Sequence, residues 1–171
     1  MKAFTLAEIV VSVGILGILI AASFGLMDIG RRSFFTSETT VELRREIMQA
    51  FMKMERELRE TRPSQVSLMG GSNSTNLTFK VPQDINGDGT VLDTLGNMEW
   101  SQNITYTLSG DQITRTASGV TAILARNVTA LQFSRPTSSP SIIQVDLSVG
   151  KSSLLQRQQN DTGQIVIKMR N

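Results

Sequence analysis

Hydrophobic and polar positions divide the chain into distinct regimes. Residues 9–27 read IVVSVGILGILIAASFGLM with no charge. At about 1.5 Å per residue such a helix spans roughly 28 Å, close to the thickness of a bilayer's hydrocarbon layer. Residues 38–62, ETTVELRREIMQAFMKMERELRETR, are rich in helix formers. Within them Leu43, Ile47, Phe51, Met54 and Leu58 follow at steps of three or four, which lines them up on one helix face. Glu55 and Arg59, Arg56 and Glu60, and Lys53 and Glu57 stand four apart on the more polar faces, the usual sign of a solvated side. One long helix is predicted, apolar all round in its first half and apolar along one stripe in its second. Pro63 stops it, because proline lacks an amide donor and disfavours helix in the residue before it. Gly25, Gly30 and residues 33–40 are its weakest helical stretches.

Beyond Pro63 the composition shifts to Ser, Thr, Asn and Gly with alternating apolar positions, the period of strands. Leu77, Phe79 and Val81 alternate before Pro82. Ile104, Tyr106 and Leu108 alternate up to Ser109-Gly110-Asp111, and Ile113 resumes, so residues 100–116 read as a hairpin. Residues 128–133, the series Ile143, Val145, Leu147, Val149, and the series Ile165, Ile167, Met169 supply further strands. The expected fold class is α+β: a long N-terminal helix, transmembrane in its first half, packed by its second half on a small, mostly antiparallel β-sheet domain.

Glu8 changes the picture. It lies at the apolar opening Phe4-Thr5-Leu6-Ala7-Glu8-Ile9-Val10-Val11, at the edge of the hydrocarbon. A charged side chain at a membrane helix's centre costs about 2.5–3.5 kcal/mol on insertion scales, so a charge in such a segment marks a partner, here a cationic one. Lys2 stands on one side of the span and Arg31 and Arg32 on the other, so charge counting leaves orientation open. A cleaved secretory signal is the rival reading. Its apolar core is normally about 7–15 residues and ends in a small-x-small site, of which Ala21-Ala22-Ser23 is a weak version.

Met1-Lys2-Ala3, then Phe4-Thr5-Leu6-Ala7-Glu8, then a Val/Ile/Leu stretch with Gly14 and Gly17, resembles the prepilin signal of the type IV filament family: pilins, minor pilins and type II secretion pseudopilins. A short basic leader, an aromatic first mature residue and a Glu at the fifth mature position coincide in register. The resemblance implies that a prepilin peptidase cuts between Ala3 and Phe4 and methylates the new Phe4 amine. Family members usually carry Gly before the cut, where Ala3 is small enough to fit. Gly25 falls where major pilins commonly carry Pro, which favours a minor pilin or pseudopilin. The order of strands and the final Val-Ile-Lys-Met-Arg-Asn are similar to J-type pseudopilins.

The implied organisation is a leader at 1–3, a transmembrane and assembly helix at 4–27, its amphipathic continuation at 28–62 and a β-rich domain at 63–171. Glu8 would then meet the Phe4 amine of a neighbouring subunit and set register in a helical stack. The implied partners are the prepilin peptidase, other pilin or pseudopilin subunits and a bacterial inner membrane, with the globular domain extracytoplasmic.

Asp84-Ile85-Asn86-Gly87-Asp88-Gly89 is the other chemically pointed motif. Oxygen side chains at alternate positions followed by glycine suit the first half of a calcium loop, with Asp84, Asn86, Asp88 and Asp93 as candidate ligands. The position for a bidentate Glu is Leu95, with Asp93 as the nearby substitute. The same residues are ordinary turn formers, and both readings stand at this point. No other cofactor is indicated.

The chain of 171 residues has no His and no Cys. That removes triads and thiol chemistry using those residues, disulfides and the common zinc sites. Its acids form no persuasive catalytic pair, and the expectation is a protein that is not an enzyme. Arg115, Arg126, Arg135 and Arg157 are dispersed, and basic and acidic residues nearly balance beyond Arg62, so nucleic acid is not indicated. Trp100, Tyr106, Phe79 and Phe133 read as core or edge aromatics. The Asn103-Ile104-Thr105 sequon matters only in a glycosylating pathway. The expected function is a minor pilin-like or pseudopilin subunit of an envelope filament in type II secretion or type IV pilus assembly. The alternative is a membrane-tethered extracytoplasmic binding module holding calcium or another ligand at residues 84–93.

Overall fold

The computed structural model describes residues 5–68, 73–152 and 158–170. Helix α1 (Leu6–Glu60) runs unbroken for 55 residues. Each helical glycine costs only about 1 kcal/mol relative to alanine, and no proline falls inside the helix. Gly25, Gly30 and the polar 33–40 stretch therefore leave it intact. Thr61 ends it in an extended conformation, ahead of a short 3-10 turn at Pro63–Gln65. The buried Thr61 hydroxyl donates to the Lys80 carbonyl at 2.5 Å, and its carbonyl accepts from the Arg170 amide at 3.0 Å. The helix end is thus tied to two distant parts of the chain.

Two antiparallel sheets follow, as the α+β expectation required. One has the order β1-β3-β4-β5-β6, made of β1 (Val66–Leu68), β3 (Asn76–Phe79), β4 (Ile104–Ser109), β5 (Gln112–Ala117) and β6 (Val120–Ala125). The other has the order β2-β7-β8-β9, made of β2 (Asn73–Ser74), β7 (Val128–Ser134), β8 (Ile142–Ser152) and β9 (Gln158–Lys168). Each strand segment expected from alternation is present. Sequence reading did not anticipate β1, β2 and β6, and β9 starts well before Ile165.

Leu43, Ile47, Ala50, Phe51, Met54 and Leu58 form the buried helix stripe, packed on Leu77, Phe79, Ile113, Phe133, Val145, Leu147 and Ile167 from both sheets. Tyr106 on β4 joins the sheets: its ring lies 5.2 Å from Phe79 of its own sheet and 6.4 Å from Phe133 of the other, centroid to centroid. Gly163 lets α1 settle closely on β9. A Cβ there would lie 2.7 Å from Ile47 Cγ2 and 2.9 Å from Phe51 Cε2, closer than real contacts allow.

Glu57 corrects the reading of the polar helix face. Paired with Lys53 in sequence, it was expected on a solvated side; it is buried. Its carboxylate accepts from the Tyr106 hydroxyl at 2.6 Å and from Arg115 Nε at 3.0 Å, while Lys53 Nζ lies 2.9 Å away. An i,i+4 Lys–Glu pair has the same spacing whether its acid meets water or a sheet, so only the Tyr and Arg brought by β4 and β5 decide. Burial pushes the Glu57 carboxyl up, but hydrogen bonds from Lys53, Tyr106 and Arg115 outweigh it and hold the group below its ordinary range. Burial, and then the bond to Glu57, hold the Tyr106 hydroxyl far above the usual tyrosine range.

A carboxyl depressed in the folded state stabilises above its unfolded value and loses that contribution as pH falls through the folded value. Glu57→Gln should therefore destabilise the full chain in detergent by about 1.5–3 kcal/mol at neutral pH, the scale of a hydrogen bond to a charged group. The gap to wild type should narrow as pH drops below the usual glutamate range. Denaturant unfolding at neutral and acid pH reads both effects, and a gap that stays constant with pH would contradict the assigned charge state.

Candidate functional site

Two sets of polar side chains stand apart from the core: Glu8 at the helix start and the acidic loop between β3 and β4. Thr5 is the N-cap of α1, and its hydroxyl accepts from the Glu8 amide at 3.3 Å. Glu8 Oε2 in turn accepts from the Thr5 amide at 2.9 Å and from the Thr5 hydroxyl at 3.0 Å. This reciprocal capping box satisfies donors that a helix start leaves orphaned. The Thr-x-x-Glu spacing that produces it was legible in the sequence but went unread as a cap. Among the described residues Glu8 Oε1 takes no hydrogen bond. Ala3 and Phe4, the residues of the expected cleavage and methylation, lie outside the described residues, as does Arg157.

Between Glu8 and Met27 α1 stands free of the domain. Ile20 is the most covered of the large apolar side chains between residues 9 and 27, and it is still 48% exposed. No face of this segment is packed. The Ser12 and Ser23 hydroxyls donate to the carbonyls of Glu8 and Leu19, at 2.7 and 2.8 Å, so they are satisfied inside the helix. Alone among the helices described, α1 is long and apolar enough to cross a membrane. At its polar edge Arg32 pairs with Asp28 at 2.7 Å.

In the β3–β4 loop the candidate calcium ligands are engaged by the loop's own donors. Asp84 accepts from the Gly87 and Gly89 amides at 2.7 and 2.8 Å, and both glycines adopt positive φ, which other residues resist. Asp88 accepts from the Thr90 amide and hydroxyl, both at 2.8 Å, and from Asn86 Nδ2 at 3.0 Å. Asn86 Oδ1 accepts from the Asp88 amide at 2.9 Å. Asp93 accepts from the Leu95 and Asn97 amides at 2.8 Å each. Thr90 and Asn97, respectively, are the main donors holding Asp88 and Asp93 below the ordinary aspartate range. Leu95, at the position of the missing bidentate Glu, is 84% exposed.

These bonds have the pattern of Asx turns, in which a carboxylate replaces a backbone acceptor. Among the described residues no three His, Cys, Asp or Glu side chains gather as a metal site. Glu99 completes the loop by accepting from the Ile85 amide at 2.7 Å.

Comparison with protein-family models, curated proteins and solved structures finds no match to this chain.

The two sets therefore differ in what they leave open. Asp84, Asp88 and Asp93 each accept from their own loop on both carboxylate oxygens, whereas among the described residues Glu8 Oε1 accepts from none and the segment after it is an uncovered apolar rod. For the loop, calcium should leave the melting temperature of the full chain in detergent unchanged, while Asp84→Ala lowers it by removing the acceptor of two turn amides. A rise in melting temperature with calcium that Asp84→Ala abolishes would establish the metal reading.

Proposed function

We propose that this chain is a minor pilin-like or pseudopilin subunit of a bacterial envelope filament, inserted in the inner membrane by α1 and assembled through it. One observation carries the reading: the Phe4-Thr5-Leu6-Ala7-Glu8 motif opens directly into a single helix that is unpacked over its apolar half and roofed by the sheet domain over its amphipathic half. An apolar rod with no packed face needs lipid or other helices around it. Helices of neighbouring subunits supply the second surrounding once subunits leave the bilayer.

On this reading a prepilin peptidase removes residues 1–3 and methylates Phe4, on the cytoplasmic side of the membrane. The domain stands on the other side. The protein's work is assembly rather than turnover. Glu8 Oε1 is the acceptor left for the Phe4 amine of the next subunit, and that charge pair fixes the axial register between helices.

Intact mass and amino-terminal fragment spectra of protein taken from its native membrane should show a chain beginning at N-methyl-Phe4; a mature chain retaining Met1 would count against the reading. Glu8→Leu should leave membrane insertion unchanged and reduce crosslinking between subunits. Equal crosslinking with and without Glu8 would remove the proposed pairing.

A further inference from the structure

Two dipeptides in the loop between β3 and β4 are chemically labile. Asn86-Gly87 is the one Asn-Gly pair in the sequence, and Asp88-Gly89 is the one Asp-Gly pair. In such pairs the glycine nitrogen, with no side chain beside it, reaches the carbonyl carbon of the preceding side chain most easily. All four residues are exposed, and a Cβ built at Gly87 or Gly89 would meet nothing within 4 Å. Bulk around the glycines therefore does not prevent the attack.

The reaction is an intramolecular substitution. The Gly87 nitrogen bonds to Asn86 Cγ, the Cγ–Nδ2 bond breaks, and the proton given up by the nitrogen leaves with ammonia. Water then opens the five-membered imide at one carbonyl or the other, leaving aspartate or isoaspartate at position 86. At Asp88 the Gly89 nitrogen attacks Cγ of the protonated carboxyl, water leaves, and the same kind of imide reopens with water.

Each attacking nitrogen is turned elsewhere in the structure. The Gly87 amide donates to Asp84 Oδ1 at 2.7 Å and the Gly89 amide to Asp84 Oδ2 at 2.8 Å, so one carboxylate holds both nucleophiles. An amide that donates to an anion keeps its proton more tightly, and it must break that bond before it can turn to its neighbour's Cγ. The Asn86 side chain is held as well, with Oδ1 accepting from the Asp88 amide at 2.9 Å and Nδ2 donating to Asp88 Oδ2 at 3.0 Å. Asp88 has a further protection: bonds from Thr90 hold its carboxyl below the ordinary range, and an ionised carboxylate is a poor electrophile.

We propose that Asp84 guards a latent modification site: by holding the Gly87 and Gly89 amides it keeps Asn86 from deamidating and Asp88 from isomerising. Release of that carboxylate opens Asn86 to conversion, with water as the only other reactant. Conversion places a new negative charge beside Asp84 and Asp88. The isoaspartate form also adds a carbon to the backbone, which ends the turn onto the Asp88 amide.

The full chain in detergent is kept in warm, mildly alkaline, calcium-free buffer, where hydroxide favours loss of the amide proton. Trypsin releases residues 81–115, and fragment spectra locate the change of amide to acid at Asn86. Folded wild type should convert more slowly than the same chain unfolded in guanidinium, and Asp84→Ala should raise the folded rate about tenfold or more, the factor carried by one hydrogen bond to a charged group. Asp93→Ala loosens the same loop at the Leu95 and Asn97 amides without touching Gly87 or Gly89, and should leave the Asn86 rate at the wild-type value. Circular dichroism checks that each variant is folded. Equal acceleration by the two variants would show general loosening of the loop, and a rate lowered by Asp84→Ala would make its carboxylate the base of the attack; either overturns the guard. Folded wild type that converts as fast as the unfolded chain overturns it without any variant.

Discussion

Every other feature of this protein depends on α1 satisfying its own backbone. α1 is long and apolar enough to cross a membrane, and in lipid, where no water replaces a missing hydrogen bond, only an unbroken ladder of intrahelical bonds would let one element cross and continue under a domain. With the backbone uniform throughout, side chains alone distinguish the two halves of the helix. They do so by surrounding the axis with apolar groups in residues 9–27 and confining them to the Leu43–Leu58 face thereafter. Isolated helix is marginal in water. The stretch around residues 28–42 is largely exposed, and it is continuous with a part of the helix that the sheets fix. At the far end Thr61, Glu57 and the Gly163 approach fasten helix to domain from three directions. The orientation of both sheets is thereby set by the axis of the helix.

Much of this was legible in the sequence because burial on one face imposes a period. The stripe from Leu43 to Leu58 and the alternation in Ile143 to Val149 each describe a surface half in contact with a core, and both elements lie where those periods place them. β6 escaped for the converse reason. As an edge strand with most of its residues exposed, VTAILA shows no alternation between core and solvent. β1 and β2 are too short to establish a period. Glu57 was misread because its sequence neighbour Lys53 offered a sufficient local partner, while its decisive partners, Tyr106 and Arg115, are 49 and 58 residues away. The acidic loop illustrates a different ambiguity. Alternating Asp, Asn and Gly suit a cation and a chain of Asx turns equally well, and a carboxylate that accepts turn amides keeps further lone pairs, so the sequence pattern alone does not separate the two. Here the carboxylates turn onto Gly87, Gly89, Thr90, Leu95 and Asn97 amides.

Glu8 shows how a local satisfaction changes an argument about assembly. Read from the sequence, a carboxylate at the edge of hydrocarbon is a penalty relieved by a cationic partner or by solvation at headgroup depth. The capping box alters that balance. Two donors from Thr5 already face Oε2, and the same contact closes the first turn of α1. On the filament reading a lone subunit is therefore not left with a bare charge, and desolvation contributes less to recruitment than the position of Glu8 in the apolar segment suggests. What the cap supplies instead is direction. With Oε2 fixed by Thr5, Oε1 is held at a defined height on the helix, and a partner amine that reaches it is held at one axial offset. On the filament reading, apolar packing along residues 9–27 supplies association without choosing a register, because its side chains are chemically alike along the rod. The single oriented carboxylate chooses it.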